Sequence, residues 1–91
     1  MRERYTKDYY QGSATWDPAD LATADCTSTT VTVPGARVGD FALASLSVDI
    51  VDLMLDAQVT AANTVTVLLE NHTGGNLNIG SCTCRVRVWS F

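Results

Sequence analysis

The chain has 91 residues, of which 46% are hydrophobic and 18% charged, and a net charge of −4. That length suits one domain with no second core, the composition is too apolar for a disordered chain, and the charge disfavours a phosphate backbone or an anionic membrane as partner. No run approaches the ~18 apolar residues of a membrane span.

Residues 1–15 open the chain with a polar segment that lacks the apolar stretch of a secretory signal, so the chain is expected to stay where it is made. Tyr5, Tyr9 and Tyr10 punctuate it without a helical or strand period, beside Arg2, Arg4 and Lys7, which make it mildly basic while the remainder carries three Arg against eight acids. It reads as an extended N-terminal arm, followed by one domain over 16–91. Tyrosines on such a segment, followed closely by Trp16, suggest an apolar surface to lie against, on a partner or on the body.

From Trp16 onward, Asp17-Pro18, Pro34-Gly35, Val38-Gly39-Asp40, Ala61-Ala62-Asn63 and Thr73-Gly74-Gly75-Asn76 divide the chain into strand-length pieces. The pieces are 26–33, 40–50, 53–60, 63–71 and 77–91, and the frequent Thr and Val favour pleated surfaces because both branch at Cβ. Between Trp16 and Thr23 a helical turn and an edge strand remain open. In 26–33, Val31 and Val33 should face inward, opposite Thr30 and Thr32. Piece 40–50 is apolar on both sides and predicts a central strand or an interface strand. Residues 49–58 could place Ile50, Leu53 and Met54 on a helix, but a strand through Leu53, Leu55 and Ala57 runs directly into a tight turn and hairpin and is the preferred reading. Further on, Val65, Val67 and Leu69 alternate with polar neighbours, as do Cys82, Cys84, Val86 and Val88 with Thr83, Arg85, Arg87 and Trp89. Five or six antiparallel strands with short turns predict an all-β fold, a small β-sandwich of jelly-roll type.

Candidate chemistry is sparse. The one histidine, His72, sits in a turn-rich ENHTGGN stretch and reads as solvated; no nucleophile elbow or phosphate-binding glycine loop is present, so no catalytic residue and no cofactor are expected. Three cysteines are an odd number, too few for a disulfide scaffold. Cys82 and Cys84 share a strand face, and with Cys26 or His72 they could contribute to a zinc site, but the spacing matches no common module. All three are expected as buried packing residues with no metal, the other reading being a cross-strand disulfide from Cys26. Asp49, Asp52 and Asp56, or Asp17, Asp20 and Asp25, lack the spacing of a calcium loop and read as solvated acids. Asn71-His72-Thr73 fits the glycosylation sequon, without a secretory route to modification. Arg85, Arg87 and Trp89 share the outward face of the last strand, a combination found at protein interfaces; the other reading is a solvent face.

The stretch 29–88, with TVTVPGA, GDF, AANTVTV, NHTGG and a closing RVRV, resembles a small β-sandwich module of tailed-bacteriophage virions and covers about two-thirds of the chain. The resemblance implies a structural virion protein, and the arm-plus-module length favours a capsid decoration (cement) protein over a module of a tail fibre or tail tip that binds host-surface carbohydrate or protein. It implies the major capsid protein or another virion protein as partner, a homotrimer, and a place on the capsid surface after assembly in the host cytoplasm, with no direct nucleic-acid or membrane contact. Under this reading Arg2, Arg4, Tyr5, Tyr9, Tyr10, Trp16, Arg85, Arg87 and Trp89 are the partner-binding candidates.

Overall fold

In a computed structural model, which describes residues 9–18, 21–22 and 25–90, the chain forms six strands. They are Tyr9–Trp16 (β1), Asp25–Thr32 (β2), Phe41–Leu46 (β3), Met54–Ala61 (β4), Thr64–Asn71 (β5) and Cys82–Trp89 (β6). They make two antiparallel three-stranded sheets, ordered β1-β6-β3 and β2-β5-β4, and no helix occurs among the described residues. The all-β expectation holds, and residues 54–61 are a strand.

The strongest alternations became the central strands. β5 buries Val65, Val67 and Leu69, β6 buries Cys82, Cys84, Val86 and Val88, and these side chains join one buried cluster with Val31, Val33, Leu46, Leu53 and Val59. Both sheets contribute to that cluster, and β1 contacts β2 at one edge while β3 contacts β4 at the other.

Two expectations are corrected. Residues 9–15, read as part of an arm, belong to β1, whose register with β6 runs from Tyr9 opposite Trp89 to Trp16 opposite Cys82. Its inward positions are Tyr10, Gly12, Ala14 and Trp16, and two small residues in that row hide the alternation. At Gly12 the sheets close together: a Cβ there would run into the Thr32 carbonyl oxygen and meet Val33 Cγ2 at 3.2 Å. Only a residue without a side chain permits that approach. Residues 1–8 lie outside the described residues. Piece 40–50, for which a central strand was one expectation, supplies the edge strand β3, from which Ala42, Ala44 and Leu46 turn inward while Phe41 and Leu43 are 61% and 63% exposed; beyond the strand Val48 and Ile50 also pack against the core.

Turn chemistry joins the elements as expected. Ala36 N–H donates to the Val33 carbonyl (3.1 Å) across Pro34-Gly35, with Gly35 at φ 99°, the type II arrangement that needs glycine at its third position. Asn63, left-handed at φ 61° in the β4–β5 hairpin, accepts from Gly35 N–H through Oδ1 (2.8 Å) and so ties the hairpin tip to that turn. At the other end of β5, buried Asn71 donates through Nδ2 to the carbonyls of Leu21 (2.6 Å) and Gly75 (2.8 Å), and its Oδ1 accepts from Thr73 N–H (2.9 Å) and Oγ1–H (2.7 Å). Four bonds satisfy a polar side chain that has no access to water.

Candidate functional site

β6 lies at the centre of its sheet, so its outward residues acquire neighbours on both sides. The register sets Trp89 between Tyr9 and Phe41, Arg87 between Gln11 and Leu43, and Arg85 between Ser13 and Ser45. The outer face of this sheet therefore has an aromatic row at one end and a basic, polar stretch behind it. Side chains directly opposite on neighbouring strands stand about 4.5–5.5 Å apart at Cβ, so each row is a contact unit.

Both guanidiniums are positioned. Arg87 lies over the Tyr9 ring, 4.3 Å from its centroid, and its Nη2 donates to Gln11 Oε1 (3.1 Å) on β1. Arg85 leans the other way, its Nη2 donating to Ser45 Oγ and to the Leu46 carbonyl, both at 3.3 Å, on the β3 side. Between them a groove of about 640 Å³ runs along β6, walled by Gln11 and Ser13 on one side and Leu43 and Ser45 on the other. None of the three strands carries an Asp or Glu, so this face is cationic on a molecule whose net charge is −4.

Of the sequence-derived candidates, the sheet brings together Tyr9, Arg85, Arg87 and Trp89. Its outer face does not include two others. Trp16 is 8% exposed in the core, and Tyr10 points inward, its ring against Gly35. The reason is the strand period: once β1 is a strand, even-numbered residues turn to the core. Arg2, Arg4 and Tyr5 lie outside the described residues. Phe41 and Leu43 join the face from piece 40–50, the interface-strand candidate, which sequence reading did not place beside Arg87 and Trp89.

The remaining candidates are dispersed. Cys82 and Cys84 are buried on the inner face of β6, where desolvation raises both thiol pKa values; Asp17 adds to the shift at Cys82, and Cys82 to that at Cys84. Cys26, expected to be buried, is exposed on β2, where it shares the outward side with Ser28 and Thr30 while Thr27, Thr29 and Val31 turn inward. His72 is exposed, 3.7 Å from Glu70. Asp49 and Asp56 accept from the backbone N–H groups of Val51 and Ala57, and Asp20 lies outside the described residues. Asn71 of the sequon spends its amide inside the fold.

No family model matches the chain, and no curated protein is similar enough to count as a relative.

Proposed function

We propose that the chain is a structural module of a tailed-phage virion, a capsid decoration protein that binds across shell subunits and carries no catalytic machinery. In this reading the two sheets pack face to face as a six-stranded β-sandwich, smaller than an eight-stranded jelly roll, and residues 1–8 keep the role of arm. The observation that supports it is the outer face of β1-β6-β3: Tyr9, Phe41, Leu43 and Trp89 with two arginines, on a domain with little core to spare. Aromatic and Arg side chains of this kind dominate protein contacts because the rigid rings offer large area at low entropic cost and Arg adds area with several hydrogen-bond donors. Phe41 and Leu43 come from the segment expected to form an interface, and they adjoin Arg87 and Trp89, so two separately read candidates form one surface. Mass action supplies the mechanism: a protein that binds the assembled shell, and not its separated subunits, stabilises the shell. Repetition of one weak contact around symmetry axes, as in a homotrimer, raises the effective affinity without further chemistry.

One observation favours a second reading, a tail-tip module that binds host-surface carbohydrate. The aromatic row Tyr9, Trp89 and Phe41 gathers at one end of the sheet beside an open groove, the arrangement that ring stacking requires. Electron microscopy of virions bearing an epitope on this chain separates the two. Hundreds of copies over the head support the decoration role, a few copies at the tail support the second reading, and absence from the particle overturns both.

A further inference from the structure

The polar half of the outer face has a chemistry of its own. Arg85 and Arg87 are held apart on opposite walls of the groove, each by hydrogen bonds that use only one terminal nitrogen, and a guanidinium has five N–H donors. Their charges are not balanced within the sheet, because its strands contain no carboxylate. The groove's volume, about 640 Å³, falls within the ~300–1,000 Å³ usual for small-molecule sites.

Its walls narrow the ligand. Two splayed guanidiniums suit one carboxylate, which pairs with Arg in charge-assisted hydrogen bonds. Ser13, Ser45 and Gln11 supply groups that both donate and accept, which matches hydroxyls and exceeds what a bare anion can use. Trp89, half-buried at the end of the groove, offers an aromatic wall to the apolar face of a ring. The acidic remainder of the molecule repels a polyanion, whereas a single carboxylate in direct contact with the arginines lies inside the ~8 Å over which salt leaves such attraction unscreened. We infer that this groove binds a carboxylate-bearing sugar ring, a hexuronic acid or a related acidic monosaccharide. The inference depends on this face being a binding surface and is independent of where on a virion the chain sits.

Titration of the full chain with D-galacturonate, D-galactose and acetate, followed through the side-chain N–H signals of Arg85, Arg87 and Trp89, tests it. Galacturonate should give saturable shifts at millimolar concentration, with galactose and acetate each weaker by about tenfold or more, the loss expected when a charge-assisted set of hydrogen bonds or the ring contact is missing. The R85Q/R87Q double variant should lose the galacturonate response. Ser13→Trp, which fills the groove from its exposed rim and leaves both arginines in place, should lose it too. Equal binding of galactose removes the acid from the inference, and equal binding of acetate removes the sugar. If galacturonate produces no saturable shift while R85Q/R87Q weakens attachment to the virion, the arginines serve protein carboxylates and the inference is overturned.

Discussion

Gly12 shows how one residue sets the separation of two sheets. Its inward side faces the Thr32 backbone, which cannot move aside as a flexible side chain would, so Gly12→Ala should cost about 1–3 kcal/mol, the range for overpacking. At roughly 4–8 °C per kcal/mol for a domain of this size, thermal unfolding would show the loss, and Gly75→Ala, whose Cβ meets open space, is the control. Val51 presents the opposite case. It is a β-branched, exposed residue at φ 57°, in the turn closed by Leu53 N–H donating to the Ile50 carbonyl. Left-handed backbone costs such a residue about 1–2 kcal/mol, whereas Asn tolerates it, so Val51→Asn should raise the melting temperature by several degrees, about 4 °C or more. The core thiols predict a pH dependence. Desolvation holds Cys82 and Cys84 above the ordinary thiol value of 9.0, so folding favours their neutral forms. Their contribution is present below about pH 9 and is lost as pH rises through the folded-state values, because the unfolded chain gains stability by ionising them first. Urea midpoints between pH 7 and pH 10.5 should decline on the alkaline side, and Cys84→Val should reduce that slope; an unchanged slope would show that Cys84 does not contribute.

Among the elements, β1 decides where the domain begins. It covers one edge of β6, pairing along all eight of its residues, and it delivers Trp16 and Ala14 to the core. Deleting residues 1–16 should therefore leave β6 with an open edge beside an exposed apolar face, and the shortened chain should unfold or aggregate. The measurement is the cooperativity of thermal unfolding together with the sedimentation profile; a cooperative, monomeric product with an unchanged midpoint would mean that β1 is an accessory. β5 and β6 were legible in sequence because Val65, Val67 and Leu69, and Val86 and Val88, alternate with polar neighbours. β1 was not, since the closeness of the opposite sheet excludes a side chain at Gly12, and Ala14 adds only a methyl, where larger apolar residues would have announced a strand. β3 misled in another way. Its outward Phe41 and Leu43 are as apolar as core residues, and an exposed functional face has the same composition as a buried one.

For the molecule as a whole, the charge is segregated: β1, β3 and β6 hold no acid and two of the arginines, while Asp25, Asp56 and Glu70 belong to strands of the other sheet. Contact through the aromatic end should therefore be separable from stability. Because Phe41 and Leu43 are exposed, the F41S/L43S pair should shift unfolding by no more than about 0.5 kcal/mol per site while weakening self-association or attachment to the virion severalfold, read by sedimentation and by pull-down of particles. A large loss of stability would instead place those side chains in the fold's own packing. By itself the sequence determined the all-β class, the turns at 34–35, 38–40 and 61–63 and the inward residues of the central strands, but not the turn at 50–53 that follows β3, because hydrophobic period and turn chemistry act over a few neighbouring residues. Only the tertiary structure decided that Tyr9, Phe41, Leu43, Arg85, Arg87 and Trp89 share one face and that Trp16 and Tyr10 do not. Those residues are up to about eighty positions apart in the chain. Their meeting depends on which strands flank β6 and in what register, and strand order is fixed by long-range packing that no local pattern encodes.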